Sequence, residues 1–239
     1  MAYTKRFDGR KFDEVREMEA KVGIIERADG SAMFRTGKTI AIAAVYGPRG
    51  VFPSFLQNPK KGRLKCVYDL LSFSVTERKR PGPSRRSTEI SMVTEHSLAP
   101  VLDMTKYSYA GIDLYVYITQ ADAGTRVAGI NAASLALADA GIPMKDLITA
   151  IAVGKVSDKI TVDLDKAEED HEDGATDLPM AMSTRTGEIT LLQMDGNMTR
   201  AEIKEALEMG KKACEGIKKV QIEALKAKYN GGNKKWKHM

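Results

Sequence analysis

The chain has 239 residues, of which 43% are hydrophobic and 29% are charged, a composition typical of a soluble globular protein large enough to bury a core. Its formal net charge of +5 suits a polyanionic partner without identifying one. The two cysteines, Cys66 and Cys214, exclude a disulfide framework and indicate a reducing compartment. No apolar run approaches the roughly 20 residues of a membrane span, and the polar start excludes a signal peptide. We therefore expect a cytoplasmic protein without a membrane partner.

The first half of the chain is predicted to contain strands, then two helices separated by a strand. Turns are expected at Asp29-Gly30, a hairpin signal, and at 36–38. The Gly-Lys-Thr at 37–39 is not a nucleotide-binding P-loop, because Ala32 stands where that motif needs its first glycine and both flanks are strand-like. Proline and glycine predict a loop at 78–86. The other expected elements are a strand at 62–76, a helix at 87–102, a strand at 112–120 and a helix at 125–140.

The second half is predicted to be four strands followed by a long helix. A Thr199–Glu202 capping box starts that helix, which should continue until the Asn-Gly-Gly at 230–232. The residues after it, 230–239, form a basic tail. The four strands are expected at 148–156, 159–164, 178–184 and 188–194. This order gives an α+β or mixed α/β class, in which a loose duplication of strands and then a helix stays open.

The sequence QADAGTR at 120–126 predicts an anion site where a strand passes into a helix. Helix N-termini carry unpaired N–H groups and partial positive charge. Gly124 permits close approach of an anion, Thr125 offers a hydroxyl and Arg126 offers two parallel donors. This pattern is typical of a phosphate site. The alternative is that Thr125 only caps the helix and Arg126 is solvated.

Acidic and basic clusters supply two further candidate sites. The stretch 163–177 holds eight acids, most of which suit a solvated loop. Asp177 differs because an apolar strand follows it at once, which suits a Mg²⁺ ligand or a proton donor. The loop at 78–86 suits an RNA backbone or a solvated charge run. Its basic residues are Arg78, Lys79, Arg80, Arg85 and Arg86. No spacing of histidines or cysteines supports a zinc hydrolase or a catalytic triad.

Seven ordered motifs resemble the RNase PH family, and within it the catalytic ring subunits of archaeal exosomes. They are DGR at 8–10, ADGSA at 28–32, AAVYGP at 43–48, SRRSTEI at 84–90, QADAGTR at 120–126, SLALADAGIPMKDL at 134–147 and TDLPMAM at 176–182. The resemblance implies one RNase PH-like domain over 1–229, an α+β fold of duplicated β-α-β-α units with mixed sheets and packed helices, whose halves meet near 145.

The resemblance also implies an activity and an assembly. Inorganic phosphate, as co-substrate, would attack the 3′-terminal phosphodiester of single-stranded RNA and release a nucleoside diphosphate, reversibly. The active subunit would alternate with a non-catalytic RNase PH-like partner in a six-membered ring of three heterodimers, capped by RNA-binding subunits. Two alternatives stay open: a stand-alone homohexamer that trims tRNA 3′ ends, and a non-catalytic scaffold subunit that binds RNA.

Matching motifs assign the following roles by resemblance. Asp177 is the catalytic acid and a Mg²⁺ ligand. The family often has a second acid six residues earlier; that place is His171 here, and a one-residue insertion would restore Asp170 as the second ligand. Tyr68 is expected nearby. The phosphate-binding residues are Arg86, Gly124, Thr125 and Arg126, and the RNA-binding residues are Lys65, Arg78, Arg80 and Arg85.

Overall fold

The computed structural model describes residues 3, 5–77, 79–171 and 174–230, and these form a five-stranded and a four-stranded sheet. The first sheet has the order β1-β2-β3-β5-β4, with β4 parallel to β5 and the other pairs antiparallel. Its strands are β1 (Met18–Val22), β2 (Gly30–Thr36), β3 (Thr39–Gly50), β4 (Arg63–Leu70) and β5 (Ala110–Gln120).

The second sheet has the order β7-β6-β8-β9 and is antiparallel throughout. Its strands are β6 (Ile148–Val156), β7 (Lys159–Val162), β8 (Ala175–Ser183) and β9 (Ile189–Leu192). The α-helices are α1 (Arg85–Leu98), α2 (Thr125–Asp139), the short α3 (Lys166–Glu169) and α4 (Arg200–Asn230). The predicted α+β class is confirmed, with a mixed first sheet and an antiparallel second one.

Helix α2 lies between the two sheets and joins the halves of the molecule. It packs against β2, β3 and β5 on one side and against β6 and β8 on the other. Its small side chains allow close approach: a Cβ added at Gly30 would lie 2.4 Å from the Ala136 carbonyl oxygen. The buried Asn131 side chain donates to the carbonyl of Ala150 and accepts from its N–H, both at 2.8 Å. The start of α2 is therefore rigidly placed relative to both sheets.

Helix α1 covers the outer edge of β4. The Cys66 N–H donates to the Glu95 carboxylate at 2.6 Å, and the Tyr68 N–H donates to the Ser91 hydroxyl at 2.9 Å. These side chains satisfy edge N–H groups that would otherwise pair with another strand. They also fix α1 against β4.

Several predicted boundaries were wrong for local reasons. The strand expected at 62–76 ends at Leu70, and the helix expected at 87–102 starts at Arg85, because Ser84 caps it, and ends before Pro100, which cannot donate. The strand expected at 159–164 stops at Val162, before Asp163 takes a positive φ of 55°. Helix α3 was not predicted. Of the tail at 230–239, residues 231–239 lie outside the described residues.

The hairpin turns and the start of the last helix lie close to their predicted positions. Thr36 pairs with Thr39, so 37–38 form the predicted turn between β2 and β3, and β1 and β2 pair around 23–29. Thr199 and Glu202 form the predicted capping box, in which the Thr199 N–H donates to the Glu202 carboxylate at 2.6 Å. Within the described ranges, no helix combines the length and the apolar character that crossing a bilayer requires.

A buried ion pair ties the N-terminal segment to α3. The Glu168 carboxylate accepts from Arg6 Nε at 2.8 Å, from Arg6 Nη2 at 2.7 Å and from the Tyr3 hydroxyl at 2.5 Å, and the Arg6 and Glu168 side chains are wholly buried. Burial raises the pKa of Glu168, but these hydrogen bonds outweigh it, so the pKa lies below its ordinary value of 4.5. A depressed folded pKa stabilises the protein above the unfolded pKa and ceases to do so as the pH falls.

We expect Glu168→Gln to reduce the free energy of unfolding by about 3 kcal/mol near neutral pH, because it leaves the Arg6 charge buried without its partner. The wild type should lose stability as the pH falls below about 4.5, and the variant, which cannot titrate there, should lose less. Urea unfolding on both sides of that pH measures the difference. Equal pH dependence of the two proteins would contradict the assignment.

Candidate active site

A cavity of about 750 Å³ lies where the two halves of the chain meet, and it collects most of the predicted site residues. The end of β5 and the start of α2 form one wall, the start of α1 a second, and β8 with α3 a third. Its lining includes Arg86, Asp122, Gly124, Thr125, Arg126, Glu169, Asp170 and Asp177. Residues more than 90 positions apart in the sequence, such as Arg86 and Asp177, therefore face one space.

The turn before α2 is preorganised with its backbone toward this cavity. Ala123 and Gly124 both have left-handed backbone conformations, with φ of 57° and 62°. Gly124 is the residue before the helix and Thr125 is its first residue, and among the described residues no side chain caps it. The alternative in which Thr125 serves as the N-cap is therefore wrong. Successive left-handed residues followed by an uncapped helix start form a concave set of N–H groups suited to an anion.

Arg126 is oriented by two side chains that the sequence analysis missed. One Nη atom donates to the Gln193 side-chain oxygen, and the other lies 3.7 Å from the Glu89 carboxylate. Gln193 in turn donates to Glu89 at 2.9 Å. The Arg126 side chain is 19% exposed, so it is not freely solvated. Glu89 and Gln193 hold the guanidinium in place and leave it at the cavity.

Arg86 supplies the second positive charge of the site. It is the second residue of α1, and its charge opposes the helix dipole unless an anion is close. Its field lowers the pKa of both Asp177 and Glu169, although burial raises both more strongly. Arg86 therefore lies close enough to stabilise negative charge in the cavity.

Asp177 lies at the opposite wall, at the start of β8. Its N–H and carbonyl pair with the carbonyl and N–H of Asp195 at 2.9 and 2.8 Å. Burial raises the pKa of its carboxyl, the Arg126 charge opposes this, and the Asp195 charge adds to it. Its Oδ1 atom is buried with no hydrogen-bond partner among the described residues. An orphaned buried carboxylate oxygen needs a proton or a cation.

Glu169, at the end of α3, is the second acid facing this wall, and the sequence analysis missed it. Burial raises its pKa to about 7, and the charge of Asp177 adds to the rise. Asp170, the predicted second ligand, also lines the cavity, but its side chain is 61% exposed and accepts from Lys166 Nζ at 2.7 Å. Glu169 is therefore better placed than Asp170 to share a cation with Asp177.

The donor set fits Mg²⁺ only in part. Within the ranges that the structure describes, no group of three or more acidic, histidine or cysteine side chains is arranged to hold a metal ion. Two carboxylates, one with an unpartnered oxygen, suit Mg²⁺ when waters and substrate oxygens complete its shell. Asp177 and Glu169 would be the protein ligands.

The predicted RNA-binding residues are dispersed. Lys65 lines a separate recess of about 180 Å³ with Arg49, Arg63 and the 92% exposed Phe52. Arg80 and Arg85 are exposed and do not line the main cavity, and Arg78 lies outside the described residues. Tyr68 is 2% exposed and lies under α2, where burial raises its pKa to about 12 and the charges of Arg86 and Arg126 oppose the rise.

Models of both domains of one enzyme family match this chain. Domain 1 of the 3′ exoribonuclease family, the RNase PH domain, covers residues 14–143, and domain 2 covers residues 146–213. The chain therefore belongs to the RNase PH family of 3′ exoribonucleases. The family resemblance predicted from the seven motifs is confirmed.

Several proteins with high sequence identity to this chain are named as exosome subunits. The chain is 50% identical to the exosome complex component Rrp41 of Thermococcus kodakarensis over 94% of this chain and 90% of that protein. It is 49% identical to the Rrp41 of Methanopyrus kandleri over 95% and 94%. Among solved structures, rice Rrp46 superposes with a TM-score of 0.81 at 25% identity, covering 92% of this chain and 100% of that one. An Archaeoglobus fulgidus exosome with RNA bound to the active site superposes at 0.77 and 20% identity, covering 90% and 92%, which supports the fold.

Proposed function

We propose that this protein is the active subunit of an exosome ring and degrades RNA from the 3′ end by phosphorolysis. The observation that carries the proposal is one cavity in which Arg86, Arg126 and the backbone of residues 124–126 face Asp177. One wall suits a phosphate ion and the other a carboxylate-assisted displacement. The identity to exosome components supports the assembly.

In the proposed reaction, an oxygen of inorganic phosphate attacks the phosphorus of the last phosphodiester. The bond from that phosphorus to the 3′ oxygen of the preceding nucleotide breaks, and the leaving oxygen takes up a proton. The products are a nucleoside diphosphate and an RNA one nucleotide shorter. Phosphate takes the place of water, so the reaction is not a hydrolysis, and its reversal adds nucleotides.

The residues of the cavity contribute mainly position and charge. Arg86, Arg126 and the N–H groups of residues 124–126 hold the attacking phosphate in line with the scissile bond and neutralise its charge. Asp177 acts at the leaving 3′ oxygen, either as the proton donor that its raised pKa permits or as a cation ligand. Mg²⁺ held by Asp177 and Glu169 would neutralise charge on the substrate oxygens.

We also propose the assembly that the resemblance implies. A non-catalytic RNase PH-like partner would alternate with this chain in a six-membered ring of three heterodimers, with RNA-binding cap subunits on one face, in the cytoplasm. The exosome names of the relatives support such partners.

Degradation of oligoadenylate, with and without inorganic phosphate, tests the activity. The protein is assayed alone and co-purified with its partner. Phosphate-dependent release of ADP supports phosphorolysis, and activity only with a partner supports the heteromeric ring. AMP release without phosphate would overturn the proposal. A homogeneous six-subunit assembly of this chain alone would favour the stand-alone enzyme that trims tRNA 3′ ends. RNA binding without release of any nucleotide product would favour a non-catalytic scaffold subunit.

We propose that the recess around Lys65 binds RNA outside the reaction centre. Three cations beside an exposed aromatic ring suit a single-stranded backbone and a stacked base. We expect the Arg63→Ala, Lys65→Ala double variant to weaken RNA binding about tenfold, with a salt dependence reduced by about 0.7 per lost phosphate contact. Fluorescence anisotropy across a salt series measures both.

At saturating RNA the kcat of this double variant should stay near that of the wild type, since neither residue lines the main cavity. The control is Arg27→Ala, which removes a cation that lines neither the recess nor the main cavity. An unchanged salt dependence in the double variant would remove the recess from the RNA path.

A further inference from the structure

Two buried side chains that do not line the cavity contact the turn before α2 and hold its backbone in place. Thr39, at the start of β3, is wholly buried, and Arg16, before β1, is 7% exposed. Both contact the backbone of residues 122–123. They therefore hold the backbone immediately before Gly124, Thr125 and Arg126, the residues proposed to bind phosphate.

Thr39 fixes the peptide unit before Asp122 and the peptide unit after Ala123. Its hydroxyl accepts from the Asp122 N–H at 2.9 Å and donates to the Ala123 carbonyl at 2.7 Å. One hydroxyl thus satisfies a donor and an acceptor that the turn itself leaves unpaired. Ala123 is a non-glycine residue with a positive φ, a conformation that persists only where surrounding contacts over-determine it.

Arg16 connects the same turn to the second half of the chain. Its Nε and Nη2 atoms donate to the two Asp163 carboxylate oxygens at 2.9 and 2.7 Å, a two-pronged pairing. Its Nη1 donates to the Asp122 carbonyl at 2.5 Å and lies 3.8 Å from the Asp122 carboxylate. Asp163 belongs to the segment that leads into α3 and Glu169. Arg16 therefore fixes the phosphate wall relative to the acidic wall.

Gly124 shows how closely this support is fitted. A Cβ added there would lie 3.3 Å from Arg16 Nη2, and the residue already has a positive φ. The guanidinium therefore lies directly against the backbone of the turn.

We propose that Arg16 and Thr39 are positioning residues for the attacking phosphate, acting through the backbone of the 122–124 turn. This inference rests on the proposed phosphorolytic function, because it assigns the turn to the phosphate co-substrate. It predicts a specific defect: weaker use of phosphate, with RNA affinity and the rate at saturating phosphate largely kept.

The experiment compares Thr39→Val, which removes the hydroxyl at similar volume, with Thr39→Ser, which keeps it. Thr149→Val is the matched control, since Thr149 is also wholly buried and donates at 3.3 Å to the Met182 carbonyl in the second sheet. For Thr39→Val we expect the KM for phosphate to rise about tenfold, the size typical of one lost buried hydrogen bond, with kcat within about threefold. Thr39→Ser should restore KM to within about twofold.

Arg16→Lys supplies an independent second variant, because lysine keeps the charge but lacks the planar donors that pair with both Asp163 oxygens and also reach the Asp122 carbonyl. It should raise the KM for phosphate in the same direction. A purely structural role would lower the active fraction of both variants, and hence the apparent kcat, and would leave KM at the value of Thr149→Val. That result would overturn the proposal.

Calorimetric titration of the full chain with inorganic phosphate separates this inference from the proposed function. Weaker phosphate binding by Thr39→Val than by Thr149→Val supports the positioning role, even if the wild type releases no ADP and the phosphorolytic proposal fails. Equal phosphate affinity in these two variants, or no phosphate binding by the wild type, overturns it.

Discussion

Asp177→Asn is expected to lower kcat by roughly 10³- to 10⁴-fold while RNA affinity stays within about twofold of the wild type. The substitution keeps size and shape, and the backbone pairing of Asp177 with Asp195 does not involve the side chain. An amide neither delivers the proton nor carries the charge that binds a cation. Single-turnover degradation of oligoadenylate and anisotropy with the same RNA measure the two quantities.

Glu169→Gln distinguishes the two roles open to Asp177. If the two carboxylates share Mg²⁺, the variant should need a higher Mg²⁺ concentration for half-maximal rate, and added Mg²⁺ should restore much of the activity. Asp170→Asn is the matched control, because Asp170 lies beside Glu169 and is largely exposed. Full activity in Asp177→Asn would remove this residue from the mechanism altogether.

The parts of the site that could be predicted from sequence are those in which contiguous residues do the work. Gly124, Thr125 and Arg126 follow one strand and open one helix, so a local pattern already places them together. Arg86 was predictable because a cation at a helix start opposes the dipole. Asp177 was predictable because an apolar strand follows it.

The parts that could not be predicted depend on contacts between distant residues. Glu169 lies in one turn of helix whose orientation comes from the Glu168 contacts with Arg6 and Tyr3, which are more than 160 positions away. Gln193 belongs to a strand-end segment with no pattern of its own, and it acquires a role only where β9 meets α1. The fold class could be predicted from periodicity, turns and the family motifs. The contacts of Glu168 and Gln193 could be recognised only in the folded structure.

Lys65 is a second case in which the sequence could not predict which cavity a residue lines. The family resemblance implied RNA binding by Lys65, and in the structure it lines the recess with Arg49 and Arg63 instead of the main cavity. Alternation along β4 explains this, because Lys65 and the buried Cys66 and Tyr68 fall on different sides of the strand system. The side of a strand on which a residue lies decides which cavity it reaches.

Arg126→Ala is expected to raise the KM for phosphate roughly 10- to 100-fold, because it removes a charge-assisted donor pair of about 1.5–3 kcal/mol from the phosphate wall. RNA affinity should change little, since the proposed RNA grip lies elsewhere. Arg126→Lys should recover only part of the loss, because an ammonium group keeps the charge but not the planar pair of donors. Initial rates over a phosphate series at saturating RNA give KM and kcat for each protein.

Glu89→Gln serves as the companion variant, because Glu89 balances the Arg126 charge across 3.7 Å without lining the cavity. Removing that negative charge strengthens the attraction of Arg126 for phosphate, but it also orients the guanidinium less firmly. We therefore expect the KM for phosphate either to fall or to rise much less than in Arg126→Ala. An Arg126→Ala protein with unchanged phosphate dependence and a lowered kcat would assign the Arg126 side chain to the RNA phosphate instead. Arg86, Gly124 and Thr125 would then remain as the proposed contacts of inorganic phosphate.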